Sequence, residues 1–135
     1  LKILLRDFDT RLLDDYERLV HTAANKIAGE LPGLQFKITR QRQYRNMADF
    51  MGRLPQVVDL ATRAWQELGL PYSLGGIRGG TYGAVFSEMG LPTPNLSVGQ
   101  HNIHSLLEFA SLNQMVAATQ HAVKLLELWQ AHARS

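Results

Sequence analysis

The stretch IRGGTYGAVFSEMGLPTPNLSVGQHNIHSLLE, Ile77 to Glu108, decides how this chain is read. It sets an arginine, paired glycines, two prolines and two histidines between two long amphipathic patterns. That predicts a string of tight loops held by rigid elements, the usual setting of a site. Arg78 stands directly before Gly79 and Gly80. Glycines there admit φ > 0 and let the backbone approach another group closely, and a guanidinium beside them is suited to clamp a carboxylate through two parallel hydrogen bonds. On composition alone the pair is also the mark of a plain turn next to a surface arginine. His101 and His104 flank Asn102 and Ile103 just after Gly99, with Glu108 beyond. Imidazoles are the commonest nitrogen ligands of zinc. Without further ligands at characteristic spacing, however, the pair also reads as two loop histidines, one bonded to backbone and one solvated.

Downstream, Asn95 to Val98 reads as a buried strand delivering both histidines from its carboxyl end, where open α/β sheets carry their ligands. Ser111 with Gln114 forms a capping box for a final helix, in which Leu112, Met115, Val116, Ala122, Val123, Leu126 and Trp129 fall at core spacing. His121 and His132 read as surface residues. Upstream, Thr81 caps a brief helix running through Met89 and closed by Gly90, and Tyr72 to Gly76 reads as a short strand leading to Arg78. Pro55 opens another helix with Val57, Val58, Ala61, Ala64, Trp65 and Leu68 on one face, stopped by Gly69 and Pro71. Trp65 is its core anchor.

The first part of the chain predicts strand, helix and strand. Leu1 to Phe8 is apolar and extended. Asp9 offers an oxygen to cap a helix carrying Leu12, Leu13, Tyr16, Leu19, Val20, Ala23, Ala24 and Ile27, ended by Gly29 and Pro32-Gly33. Leu34, Phe36 and Ile38 then alternate with polar residues in a half-buried strand reaching Gln43. The pattern breaks between Tyr44 and Leu54, which places a boundary there. The fold class is mixed, α/β (α+β).

Composition narrows the function classes. A chain of 135 residues with 45% hydrophobic content is long enough for one modest domain. The formal net charge is +2. Its densest basic run, Lys37 to Arg45, lacks the interleaved aromatics of a nucleic-acid platform and reads as a solvated strand face. No cysteine is present, which excludes disulfides and thiolate metal sites and suits the cytoplasm. No segment approaches the roughly 20 apolar residues of a membrane span. The chain opens on Leu1 rather than methionine, for which a truncated reading frame or a processed fragment is the expected cause.

Several separated motifs carry a resemblance. Arg78-Gly79-Gly80-Thr81, then Gly90-Leu91-Pro92-Thr93-Pro94-Asn95, then Asn102-Ile103-His104 followed by Glu108 are similar, in order and spacing, to the closing third of the peptidase T family. These are zinc aminotripeptidases among the di-zinc metallopeptidases, built from a catalytic domain and a lid. Leu5-Arg6-Asp7-Phe8-Asp9 and Tyr44-Arg45-Asn46-Met47 also match, so the resemblance covers nearly the whole chain. It implies that residues 1–52 are part of a lid of the dimerisation type and residues 53–135 the closing segment of the catalytic domain. It implies that His104 is one zinc ligand of a two-ion centre, that Arg78 holds the carboxylate end of the peptide, and that Asn46 and Arg6 reach toward the same substrate.

The match has departures. Tyr82 stands where the family carries aspartate, Ser105 where it carries glycine after the histidine, and Leu107 at its next histidine. The family's remaining ligands and its general-base glutamate belong to sequence upstream of what this chain contains. The expectation is therefore a part of a short-peptide hydrolase, inactive alone, whose partners are a peptide substrate, the missing amino-terminal part of the catalytic domain and a second copy pairing along an open lid edge. In the complete parent, zinc-bound hydroxide would attack the peptide carbonyl. Two alternatives are a non-catalytic peptide-binding or dimerisation module and a piece of a related amidohydrolase acting on N-acyl amino acids.

Overall fold

Helices dominate because the two longest amphipathic patterns find helical geometry, as a computed structural model describing residues 1–77 and 80–134 shows. In chain order these are α1 (Leu12–Glu30), α2 (Ala48–Met51), α3 (Gln56–Glu67), α4 (Tyr82–Glu88), β1 (Gln100–His101), β2 (Phe109–Ala110) and α5 (Leu112–His132). The class is mixed, with a two-stranded antiparallel sheet of β1 and β2.

Helix α1 forms where the periodicity places it, with Asp14 and Asp15 in its first turn complementing the positive end of the helix dipole. Its N-cap is Arg11, not Asp9; Asp9 instead accepts the Arg11 backbone N–H at 2.9 Å and its guanidinium at 2.7 Å. The Arg11 side chain and N–H lower the Asp9 carboxyl to about 2. The flanking strands predicted over 1–8 and 34–43 are not formed: both segments lack strand assignment. A strand exists by its ladder, and alternation alone supplies no neighbour. What ties the second segment down is charge, with Arg40 pairing to Asp14 at 2.8 Å and to Glu17 at 2.7 Å on α1. Tyr72 to Gly76 and Asn95 to Val98 likewise carry no strand.

The packed centre lies between α3 and α5. Ala61 and Ala64 are buried on α3, Leu128 on α5. His121, expected at the surface, is 1% exposed; its Nε2–H donates to the Ala61 carbonyl at 2.8 Å and its ring stacks on Trp65 at 4.2 Å. The core face of α5 is thus the Ala117, His121, Leu125, Leu128 side. Leu112, Met115, Val116, Val123 and Leu126, predicted to be core, are 47–73% exposed. Ser111 is the α5 N-cap but makes no side-chain cap bond, and the Gln114 side chain, which would complete a capping box, instead accepts from His101.

Few apolar side chains are covered. The buried hydrophobic residues among those described are Phe50, Ala61, Ala64, Ala84 and Leu128, and α1 buries none. The accessible surface is 10608 Å² for 15.2 kDa, against roughly 7,100 Å² for a folded monomer of this mass. One side of α1 and a second apolar side of α5 therefore face outward. Among the described residues no helix is long and apolar enough to cross a membrane.

Candidate functional site

The tip residues 102–108 are presented by a hairpin whose register pairs Gln100 with Ala110 and His101 with Phe109. Gly99, at φ +79°, lets the base of this hairpin lie on the start of α5: a Cβ there would come within 2.8 Å of the Gln114 Cβ. His101 is held by both, its Nε2–H donating to Gln114 Oε1 at 2.5 Å and its ring stacking on Phe109 at 4.8 Å. That commitment makes His101 a structural residue of the hairpin.

His104 has a different setting. Among the described residues it and Asn102 are the non-glycine ones at positive φ, +66° and +52°, a conformation that histidine and asparagine adopt more often than most but which still carries a cost. Its backbone N–H donates to Glu108 Oε2 at 2.8 Å. The Gln100 amide donates to the other carboxylate oxygen. These two bonds, the His104 N–H first, hold the Glu108 carboxyl below its ordinary range. The tip is closed further by Ser105 N–H to the Asn102 carbonyl at 3.0 Å and the Asn102 side chain to the Leu107 carbonyl at 3.2 Å. The His104 residue is exposed.

Arg78 and Gly79 lie outside the described residues, and with them the clamp expected there. Their flanks are described. A Cβ at Gly76 would meet the Phe8 ring at 2.8 Å, and one at Gly80 the Tyr44 ring at 2.5 Å. The glycine at position 80 thus serves close approach to an aromatic ring. After it, Thr81 Oγ1 accepts the Ala84 N–H at 3.3 Å and caps α4, as its sequence position predicts. Asn95 Nδ2 donates to the same hydroxyl at 3.3 Å. Tyr82 is 82% exposed and stacks on Phe86 at 6.4 Å.

Asn46 is half-buried; its Nδ2 donates to the Phe8 carbonyl at 3.2 Å and its Oδ1 accepts the Ala48 N–H at 3.0 Å. It ties the first segment to α2. Arg6 is exposed. Contacts cross the boundary at residue 52 in several places: Arg42 pairs with Glu88, and Asn95 reaches the Met47 sulfur at 3.7 Å. A shallow hollow beside α2 is lined by Phe8, Asp9, Thr10, Arg11 and Asp49.

As a metal donor set, the described residues bring no three His, Cys, Asp or Glu side chains together. An exposed imidazole such as that of His104 fits one ligand position, while a zinc centre takes three or four protein ligands. Sequence reasoning named His104 and the Glu108 beyond it but missed the bond between them and the part played by Gln100. The four-residue spacing from His104 to Glu108 was a visible signal for the first of these.

No protein-family model matches the chain. Curated relatives do, along nearly all of it. It is 34% identical over 134 residues to peptidase T of Lysinibacillus sphaericus, which is 99% of this chain and 33% of that protein. To peptidase T of Shewanella halifaxensis it is 36% identical over 132 residues, 98% of this chain and 32% of the relative. The chain is homologous to the C-terminal part of peptidase T. It spans about a third of the length of the curated relatives it matches. Peptidase T of Caldanaerobacter subterraneus is 37% identical over 129 residues and covers 93% of the chain; the longest of these matches, 134 residues, takes in the hairpin, the sequence around Arg78 and the first segment together.

Proposed function

We propose that this chain forms the closing part of a zinc-dependent aminopeptidase acting on short peptides. His104 supplies one metal ligand, and Arg78 grips the carboxylate end of the substrate. The observation that carries this is the match to peptidase T relatives along 93–99% of the chain. The exposed imidazole at the tip of a closed hairpin supports the first role, and the residue chemistry of a guanidinium beside paired glycines supports the second. Zinc, once its remaining ligands are present, supplies a polarised carbonyl and an activated water. On this reading Asn46, just before α2, and Arg6, in the first segment, would reach toward the same end of the peptide. Residues 1–52 act as part of a lid and residues 53–135 as the closing segment of the catalytic domain, in a cytoplasmic setting.

By itself the chain does not hydrolyse peptides, because one imidazole cannot hold a two-ion centre. Its natural partner is the upstream part of the family fold. The surface in excess of a folded monomer, about 3,500 Å² by mass scaling, gives that partner the outward sides of α1 and α5 to cover. A second copy of the chain is the next candidate for the same apolar surface.

Tyr82, 82% exposed where an aspartate was expected, favours one second reading: a peptide-binding module without turnover. The test is a chimera in which this chain replaces the matching third of the Lysinibacillus sphaericus relative, assayed on free tripeptides and on N-acyl amino acids. Tripeptide hydrolysis with a KM raised about tenfold or more by Arg78→Lys supports the reading. Peptide binding without turnover supports the module instead, and turnover of N-acyl amino acids alone points to an amidohydrolase.

A further inference from the structure

We propose that Glu108 is the positioning residue of His104: its carboxylate locks the His104 backbone in the left-handed conformation that sends the imidazole outward from the hairpin tip. The functional weight of this inference rests on the reading of His104 as a ligand; the structural hold does not. His104 carries a side chain at φ +66°, a conformation that L residues leave unless something fixes it. One Glu108 oxygen takes the His104 N–H at 2.8 Å, and the other takes the Gln100 amide from β1.

The carboxylate therefore bridges the tip of a hairpin to its hydrogen-bonded ladder. Glu108 stands immediately before Phe109 of β2, and its own N–H is tied back to the Ser105 carbonyl at 3.1 Å. It acts through the peptide backbone and not through the ring. Both Glu108 oxygens accept hydrogen bonds that hold the hairpin tip, which places Glu108 as a support of His104.

The test is residue-resolved amide hydrogen exchange and the Cα chemical shift of His104 in the full chain, wild type against Glu108→Ala and Glu108→Gln. Glutamine keeps a carbonyl oxygen for the His104 N–H. The expected result is that Glu108→Ala speeds His104 amide exchange by about tenfold or more, the scale of a lost charge-assisted bond. It also moves the His104 Cα shift away from its left-handed value. Glu108→Gln restores most of both, and amides of α3 and α5 stay unchanged in each variant. Unchanged His104 exchange in Glu108→Ala overturns the proposal. So does a loss in Glu108→Gln as large as in Glu108→Ala, or a speeding of α5 amides in parallel, which marks Glu108 as general scaffolding. None of these readouts involves zinc or peptide, so their failure leaves the ligand reading of His104 standing, and failure of that reading leaves the measured hold as it is.

Discussion

Replacing His121 tests the packed centre of the chain. Its ring is 1% exposed, stacked on Trp65 at 4.2 Å, and bonded through Nε2–H to the Ala61 carbonyl at 2.8 Å. His121→Ala deletes all three. A lost hydrogen bond costs about 1 kcal/mol, a lost ring stack about 0.5–1.5 kcal/mol, and the cavity left between α3 and α5 adds to both. The sum predicts a loss of about 2–4 kcal/mol. His121→Phe keeps the stack and much of the volume and loses the hydrogen bond, so it should cost about half as much. Urea unfolding followed by tryptophan fluorescence reads both, since the ring lies on Trp65. A change within about 0.5 kcal/mol for the alanine variant, the behaviour of a solvated surface residue, would refute the packing account. So would a phenylalanine variant less stable than the alanine one.

Three further outcomes follow from particular contacts. Gly80→Ala places a Cβ 2.5 Å from the Tyr44 ring and should destabilise by about 1–3 kcal/mol; in a thermal-unfolding double-mutant cycle, Tyr44→Ala should relieve part of that cost. Arg11→Ala removes the group that lowers the Asp9 carboxyl to about 2, so a carboxyl NMR titration should show Asp9 rising toward the ordinary carboxylate range. The sign is that of a depressed carboxylate: the stabilising interaction is present above the unfolded value and disappears as pH falls through about 2. Thr81→Ala removes the α4 cap and should cost about 1 kcal/mol by the same unfolding assay, with Thr81→Ser retaining most of it.

How much of this was legible in the residues depended on whether the signal was local. The helix periods of α1 and α3, the Thr81 cap and the loop around His104 are properties of neighbours in sequence, and they came out as read; the pairing of Gln100 and His101 as β1 did not. The strands over 1–8 and 34–43 did not, because alternation states which face a strand would bury and not whether another strand lies beside it. In α5 the residues Leu112, Val116, Val123 and Leu126 hid the true inner face, since apolar residues occupy two sides of that helix. A histidine at position 121, seven residues before Leu128, looked polar in sequence and became central only through Trp65 on another helix. For the site, His104 was visible as a residue type. Its left-handed backbone and its tie to Glu108 needed three dimensions.

The central claim is that His104 completes a metal centre whose other ligands lie in the upstream part of the family fold. Zinc stoichiometry of the chimera with the Lysinibacillus sphaericus relative, measured by atomic emission with and without His104→Ala, tests it most directly. The account predicts that the chimera binds two ions and that the variant loses one of them. Two ions retained by the His104→Ala chimera would contradict it.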